Sequence, residues 1–267
     1  MSLKQMRQVA RLHLAQLKGR YSFFLLPILL IFVSSSISYR QEIQTQLDWD
    51  WSDTVFPILV NLLNMGITLS VIMSLVYSLR GKKERLTLAD AVMIFDNHII
   101  FKVIWLAIVR LIFLLPWLFF TIMGTMINTV GIPALSEIVI YSQGIWSQLQ
   151  TWVALALVLV GLGLQLFGIV MFVIKCFAYS QAEYVLLDAL SDGSYENASK
   201  ILSESQDLMR KQKFKFFRLH LSFLGWYLLV LITFGFAIIY VLPYYLTARA
   251  VFYHELRKRL GKNPSTT

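Results

Sequence analysis

Long apolar tracts separated by short polar segments run through most of the 267-residue chain. A membrane-spanning helix needs about 20 mostly apolar residues, and each of the first four tracts has about that length. The last tract, Phe214–His254, has about 40 residues, enough for two crossings of a hydrocarbon core about 30 Å thick. Gly235 lies in its middle and permits a tight turn at Thr233-Phe234-Gly235. The pattern therefore predicts six spans, at residues 22–39, 55–79, 103–123, 151–174, 214–232 and 236–254.

Two segments outside these spans have the apolar period of amphipathic helices. One lies in residues 1–21, before the first span. The other lies in the loop 179–213 and follows Ser194, the expected N-cap. We expect both helices to lie at the cytoplasmic surface of the membrane. Their apolar positions are Leu3, Met6, Ala10, Leu14 and Leu17 in the first, and Ala198, Ile201, Leu202, Ser205, Leu208 and Met209 in the second.

The composition supports a membrane protein. Hydrophobic residues make up 57% of the chain and charged residues only 15%, whereas a soluble domain carries about 25% charged residues. Aromatic residues reach 14%, which suits helices anchored at two lipid–water interfaces. The sequence therefore predicts a single all-α domain that is a polytopic membrane protein.

The distribution of basic residues predicts the orientation. All but three of the 24 Lys and Arg lie in the segments 1–21, 80–85, 175–218 and 249–262. Because cytoplasmic loops carry the excess of Lys and Arg, both termini are expected in the cytoplasm, including the basic tail 255–267. That arrangement requires an even number of spans, as six provides. The segment 124–150 on the other side either lies flat on the outer leaflet or dips into it.

The net charge of +9 raises nucleic acid as a partner, but the placement of the charges favours lipid. Five cations lie just before and at the start of the fifth predicted span, and phenylalanines lie between them. Basic residues beside a cytoplasmic span attract anionic lipids, so we predict no nucleic-acid partner. A protein partner or a homo-oligomer stays open. The basic ladder, our name for the candidate lipid-headgroup contacts, is Arg210, Lys211, Lys213, Lys215 and Arg218.

Polar residues inside predicted spans are candidates for a second kind of site, because placing them in lipid is costly. Arg110 lies about eight residues into span three, or about 12 Å along the helix. It either extends to the inner surface or pairs with Asn61 or Asn64 of span two. The paired arrangement is the basis for an alternative function, a small-molecule or lipid transporter or flippase.

Motifs for enzymatic chemistry are missing from the sequence. The four histidines are scattered without metal-ligand spacing, and no nucleotide-binding loop or nucleophile elbow occurs. The single cysteine, Cys176, excludes an intramolecular disulfide. The acids of residues 183–207 have spacings expected of solvated helix faces. We therefore predict no catalytic residue, no cofactor and no metal site, with an intramembrane enzyme as the less favoured alternative.

Three blocks of the sequence resemble a bacterial integral-membrane family called domain of unknown function 975. They are RQVARLHLAQLKGRY at Arg7–Tyr21, SESQDLMRKQKFKFFRLHLSFLGW at Ser203–Trp226, and LPYYLTARAVFYHEL at Leu242–Leu256. The second block is the most specific. It departs from the family at Lys211, where the family often has glycine, a residue that would suit a tight turn. The resemblance implies a multi-spanning plasma-membrane protein of a kind common in Gram-positive bacteria, and it implies no activity.

These observations together predict a bacterial cell-membrane protein without enzymatic activity. It is expected to bind anionic lipids of the cytoplasmic leaflet or a protein partner, as an accessory, envelope-stress or peptide-immunity factor would.

Overall fold

The computed structural model describes residues 1–44, 51–95, 97–141 and 145–259. The described residues form helices and no named strand, which confirms the predicted all-α class. The elements in chain order are α1 (Leu3–Gln16), α2 (Arg20–Gln44), α3 (Trp51–Leu79), a 3-10 helix (Leu88–Phe95), α4 (Asn97–Tyr141), α5 (Ile145–Ala178), α6 (Ala182–Ser191), α7 (Ala198–Leu208), α8 (Lys213–Leu221), α9 (Leu224–Ile232) and α10 (Ile238–Arg259).

Four stretches of the described chain are helical, long enough and apolar enough to cross a membrane. A shorter apolar helix, Arg20–Ser36, lies in α2. Helix α10, whose second half carries several charged residues, is not among the four. The four stretches are Val55–Leu79, Ile99–Glu137, Gln148–Ser191 and Lys213–Ile232.

The chain divides into two compact units, residues 1–104 with 181–267 and residues 105–180. In the first unit, α10 packs against α1, α2 and α3, and α6 packs against α7. Most residues of α10 from Val241 to Arg257 are buried, so this helix forms the centre of the unit. The largest fully buried side chains of the unit include Tyr184, Tyr244, Tyr253, Phe223 and Phe252.

Serine hydroxyls hold the 3-10 helix on α3. The Ser74 hydroxyl donates to the Asp90 carbonyl oxygen at 2.9 Å, and the Ser70 hydroxyl accepts the Ile94 amide at 3.1 Å. The Asp90 carboxylate in turn accepts hydrogen bonds from Lys83 and from the amide and hydroxyl of Thr87. Its slight burial raises the pKa of Asp90, but these contacts outweigh burial and hold that pKa below its ordinary value. The basic loop before the 3-10 helix is thereby tied down.

The apolar faces predicted for the two amphipathic helices are packed within the protein. Helix α1 begins with a capping box between Ser2 and Gln5 and buries Met6 and Ala10. Helix α7 buries five of its six predicted apolar positions, and the sixth, Met209, is its C-cap residue and is buried as well. The N-cap of α7 is Asn197, whose side chain accepts the Lys200 amide at 2.8 Å, so the prediction of Ser194 was wrong.

A turn separates α7 from α8 at Lys211, where the sequence departs from the pattern of the family that it resembles. Lys211 has a φ of 61°, a left-handed conformation that costs a residue with a Cβ atom about 1–2 kcal/mol. Glycine adopts it without that cost. The turn is therefore present with lysine in the place that glycine suits better.

The last apolar tract turns where the sequence predicts. Helix α9 ends before Thr233, and the Gly235 amide donates to the Val230 carbonyl oxygen at 2.8 Å. Phe234 and Gly235 both have positive φ, of 50° and 91°. The Phe234 side chain at the tip is 92% exposed.

The second unit is a pair of helices in close backbone contact. A Cβ atom on Gly124 of α4 would lie 2.5 Å from the Gly161 carbonyl oxygen and the Gln165 amide nitrogen of α5. Gly168 lies opposite Thr121, and Gly131 lies opposite Val158, so the helices run antiparallel. Glycines seven residues apart on each helix thus form the contact surface, as small residues do in membrane helix pairs.

Helix α4 continues beyond the end of predicted span three. It has 45 residues, about 68 Å at 1.5 Å per residue, and residues 124–141 belong to it. The segment 124–150, predicted to lie flat on the outer leaflet or to dip into it, is therefore helical as far as it is described. Gly161, near the middle of predicted span four, lies opposite Gly124 and Asn128, just past the end of predicted span three.

Candidate functional site

A basic cavity of about 410 Å³ lies along α1 in the first unit. Three cations and one amide of α1 line it at positions i, i+3, i+4 and i+7, which place them on one side of a helix. Among the described residues, no acid lines the cavity. The lining residues are Lys4, Arg7, Gln8, Arg11 and, from α10, Tyr244.

Tyr244 closes this cavity at the helix contact. The residue is 1% exposed, and its hydroxyl has no hydrogen-bond partner among the described residues. The Arg11 guanidinium carbon lies 5.2 Å from the centre of the Tyr244 ring, within cation–π range. A buried hydroxyl without a partner is costly, so the cavity has both the charge and the unused hydrogen-bonding capacity to hold an anion.

An apolar cavity of about 530 Å³ lies within one helical turn of the basic cavity. Leu14 follows Arg11 on α1, and Pro243 precedes Tyr244 on α10. The Tyr240 and Tyr244 rings, one from each cavity lining, have centroids 6.3 Å apart. Arg20 is the one charged side chain that the described part of the chain contributes to this lining. The lining residues are Leu14, Arg20, Tyr21, Phe24, Leu25, Ile28, Ile239, Tyr240 and Pro243.

The basic ladder is divided between a turn and a helix. Arg210 and Lys211 are exposed in the turn after α7, and Lys213 begins α8. The Lys215 ammonium donates to the Met1 carbonyl oxygen at 2.7 Å, which brings the ladder to the start of α1. Arg218 is exposed, with its guanidinium 6.0 Å from the ring centre of the neighbouring Phe214. The structure therefore joins ladder and α1 in one basic region.

The phenylalanines of the ladder have different environments. Phe214 and Phe217 are 70% and 44% exposed and lie beside each other on α8. Phe216 is buried, and its ring packs 5.0 Å from that of Phe252 in α10. Phe214 and Phe217 are therefore accessible beside the ladder, whereas Phe216 anchors α8 to the protein core.

A buried ion network joins α6, α7 and α10 to the end of α3. Asp188, 1% exposed at its side chain, accepts a bidentate hydrogen bond from Arg80 at 2.8 and 2.9 Å. It also accepts from the Tyr253 hydroxyl at 2.6 Å and from Arg257 at 3.2 Å. Arg257 reaches Glu204 as well, at 2.6 Å. Two cations and two carboxylates thus balance inside the unit.

Both arginines of this network hold their charge. Burial by itself lowers the pKa of Arg80 and of Arg257, but for each the partners outweigh burial and raise the pKa above its ordinary value. For Arg80 the main partner is Asp188, and for Arg257 the main partners are Tyr253 and Asp188. The network therefore stays ionic and links α6, α7 and α10 to Arg80, the residue that follows α3.

Asp188 was not predicted as a buried residue, because the acids of 183–207 were expected on solvated faces. That expectation is wrong for Asp188. A local signal exists: Asp188 interrupts the apolar run from Tyr184 to Leu190, and a lone acid in an apolar helix face needs a partner. No local sequence signal indicates which residue the partner is, because Arg80 lies 108 residues away in the chain.

The described contacts do not test the candidate intramembrane site. Arg110 lies in the second unit, where its charge acts on Cys176. Asn61 and Asn64 lie in the first unit, with Asn61 exposed and Asn64 half-buried. A site made of Arg110 with either asparagine therefore stays a prediction.

The described residues contain no group of three or more His, Cys, Asp or Glu side chains suited to a metal ion. The chemistry that the described clusters offer is ionic and apolar binding. The two cavities supply cations, one hydroxyl and an apolar lining, and the ion network is internally satisfied apart from the Arg80 Nε atom.

The fold is thus that of an all-helical protein, and its described part has four helices capable of crossing a membrane. The family model described as "Protein of unknown function (DUF975)" matches residues 1–260. The chain therefore belongs to that family, which confirms the resemblance seen in the three sequence blocks. No curated protein and no solved structure matches the chain.

Proposed function

We propose that the protein is a non-enzymatic, multi-pass protein of the bacterial cell membrane that binds anionic lipids of the cytoplasmic leaflet. The observation that carries this proposal is the joining of the basic ladder to α1 through Lys215 and Met1. Each basic residue near an anionic membrane surface contributes about 1 kcal/mol of attraction. A combined region of ladder and α1 cations therefore attracts anionic lipid strongly, and exposed Phe214 and Phe217 supply apolar contacts beside it.

We further propose that both termini lie in the cytoplasm, as the charge distribution supports. The turn at Gly235 divides the last apolar tract, and a Cβ atom on Gly235 would lie 3.6 Å from the Phe32 ring, in the middle of predicted span one. This depth favours a hairpin of α9 and α10 that enters and leaves on the cytoplasmic side, with the six spans of the sequence prediction as the alternative.

The contacts between α4 and α5 suggest one adjustment to the predicted spans. Gly124 and Gly161 lie opposite each other, so they lie at the same depth in the membrane. This requires span three to begin at Leu111 and to extend over about 25 residues. Arg110 then lies at the inner edge of the membrane, and its snorkelling role is favoured over a transport role.

Lipid binding is tested by extracting the protein with its native lipids in polymer nanodiscs and measuring the fraction of anionic lipid. We expect enrichment over the bulk membrane. Changing all five ladder residues to glutamine is expected to reduce that enrichment at least twofold, because the cations that attract the headgroups are gone. The matched control is Lys200→Gln, which removes an exposed cation that pairs with Glu196 outside the ladder.

Equal enrichment in the wild type and the ladder variant would contradict the proposal. A protein subunit retained by both at fixed stoichiometry would favour the partner-binding function instead.

The span number is tested with a single engineered thiol. Cys176 is the only cysteine, so Cys176→Ser provides a background for Phe234→Cys at the α9–α10 turn. Six spans predict labelling of residue 234 by a membrane-impermeant reagent from outside intact cells. If residue 234 is labelled from neither side, the α9–α10 hairpin does not cross the membrane. If it is labelled only from the inside, the turn lies on the cytoplasmic side.

A further inference from the structure

We propose that the paired cavities on α1 and α10 hold one molecule of an anionic phospholipid, with its phosphate in the basic cavity and an acyl chain in the apolar cavity. This inference rests on the proposed lipid-binding function and specifies the site. It differs from general attraction to the ladder because it requires one lipid at fixed stoichiometry.

The basic cavity has the features of a phosphate site. Lys4, Arg7 and Arg11 approach it from one side of α1, and no acid of the described chain lines it. Like charges at helical spacing repel each other, so an anion placed among them relieves that repulsion. Arginine guanidinium groups also donate paired hydrogen bonds that match the oxygens of a phosphate.

The Tyr244 hydroxyl is the second and independent observation. It is buried, it lines the basic cavity, and it has no hydrogen-bond partner within the described ranges. Buried hydroxyls in proteins are nearly always satisfied. A phosphate oxygen in the cavity would accept this hydrogen bond, which gives the hydroxyl the partner that it otherwise lacks.

The apolar cavity has the shape and position for a chain attached to that phosphate. Its walls continue the same helices by one turn, with Leu14 on α1 and Pro243 on α10. Phe24, Leu25 and Ile28 belong to α2, within the first predicted span. The apolar cavity therefore continues beyond Arg11, from the C-terminal end of α1 along a segment that we place in lipid, as an acyl chain attached to the phosphate would.

An anionic lipid fits this pair of cavities better than a free anion or an apolar molecule does. A free phosphate would use only the basic cavity, and an apolar ligand would leave the cations and the Tyr244 hydroxyl unused. Charge complementarity at one end and apolar lining at the other require an amphiphile with a negative headgroup.

Native mass spectrometry of the purified full chain tests the proposal. The delipidated protein is titrated with phosphatidylglycerol, with phosphatidylcholine of the same acyl chains, with glycerol phosphate and with inorganic phosphate. We expect one phosphatidylglycerol per chain, bound at least tenfold more tightly than phosphatidylcholine. Glycerol phosphate and inorganic phosphate are expected to bind at least a hundredfold more weakly, because they lack the chain.

Variants of each cavity separate the two halves of the site. The double variant Arg7→Gln, Arg11→Gln is expected to weaken phosphatidylglycerol binding at least tenfold, and Tyr244→Phe severalfold, since it removes only the hydroxyl. Leu25→Trp fills the apolar cavity and is expected to weaken lipid binding without changing the weak binding of glycerol phosphate. The matched control is Lys18→Gln, which removes one cation after α1 outside both cavities and is expected to change nothing.

The outcomes distinguish this site from the ladder. Loss of the single tight lipid in the Arg7, Arg11 variant, with ladder-dependent enrichment intact, supports the site. Tight binding that survives this variant, or that shows no preference for phosphatidylglycerol, overturns it. Inorganic phosphate binding as tightly as the lipid, with no effect of Leu25→Trp, overturns the lipid assignment. A tight lipid retained without any ladder-dependent enrichment supports this site and contradicts only the general function.

Unfolding of a variant is monitored by helical circular dichroism. If Tyr244→Phe disturbs the fold, Leu25→Trp and the arginine variant still decide the outcome, since Arg7, Arg11 and Leu25 are not fully buried.

Discussion

In the first unit the helices meet through buried charges, whereas in the second unit they meet through glycine backbones. Asp188 connects α6 to Arg80 after α3 and to Arg257 in α10. Gly124 and Gly161 bring the backbones of α4 and α5 into direct contact. Each unit therefore has a different way of fixing its helices.

The difference follows from what surrounds the helices. In the second unit most large apolar side chains of α4 and α5 are exposed, as expected for helices placed in lipid. Lipid tails are as apolar as leucine, so close backbone packing has to hold such helices together. In the first unit several short helices enclose a core, and a satisfied ion network can lie inside it. The following predictions test this comparison, beginning with the largest expected effect.

Changing Asp188→Asn is expected to destabilise the first unit by about 3–5 kcal/mol, because it leaves the buried Arg80 without a counter-charge and Arg257 with Glu204 alone. The measurement is the midpoint of unfolding in mixed micelles of dodecyl maltoside and sodium dodecyl sulfate. The matched control is Asp207→Asn, at an exposed position of α7, with no expected shift. Equal midpoints for both variants would show that the ion network contributes nothing to stability.

Changing Gly124→Leu is expected to destabilise the second unit by about 1–3 kcal/mol, because the side chain meets backbone atoms that cannot move aside. Gly163→Leu is the matched control, because a Cβ atom there has nothing within 4 Å. Unfolding midpoints in the same micelles provide the measurement. If Gly163→Leu has the larger effect, the close backbone contact does not hold α4 and α5 together.

Changing Lys211→Gly is expected to stabilise the first unit by about 0.5–1 kcal/mol, since glycine accepts the left-handed turn without steric cost. Part of the gain is offset by the greater freedom of glycine in the unfolded chain. Lys211→Ala removes the same charge and keeps the strain, so its midpoint is expected to remain at the wild-type value or below. A gain for alanine equal to that for glycine would assign the effect to charge.

Lowering the pH is expected to loosen α1, and this is the smallest effect. Burial lowers the pKa of His13, and its Nε2 atom has no partner among the described residues. The unfolded chain takes up a proton near pH 6.5, above the folded pKa. The stability due to neutral His13 is therefore complete above about pH 6.5 and is lost as pH falls through the folded pKa.

Hydrogen exchange of the α1 amides at pH 7.5 and pH 5.0, corrected for intrinsic rates, checks this prediction. His13→Gln should remove most of the change. Because all four histidines lie in the first unit, the amides of α4 and α5 after Ile104 serve as an internal control. A pH effect of equal size there would contradict the assignment to His13.

Several features could be predicted because they depend on local pattern. The apolar tracts correspond to helices, and the glycine in the last tract corresponds to the turn at Phe234 and Gly235. The helical period also identified the residues that α7 buries, including Ile201 and Ser205. What that period could not identify was the partner, since packing against another helix and lying on a membrane require the same apolar face.

The candidate site could be predicted only in part. The apolar period of α1 was recognised in the sequence, and the ladder was recognised as a basic segment. Their meeting at Lys215 and Met1 spans nearly the whole chain, and the two cavities need α10 as a wall. No local pattern reports such distant contacts.

The sequence alone determined the all-helical class and the places of the long apolar helices, because hydrophobic period and composition act over one or two helical turns. The family was indicated separately, by the resemblance of three sequence blocks. The tertiary structure decided which charges are buried, where α4 and α5 touch, and that α1 and α10 enclose a basic cavity beside an apolar one. These features depend on residues far apart in the chain, such as Asp188 with Arg80. A buried charge is tolerated only where its partner is in place, so folding of the whole unit, and not the local segment, sets its environment.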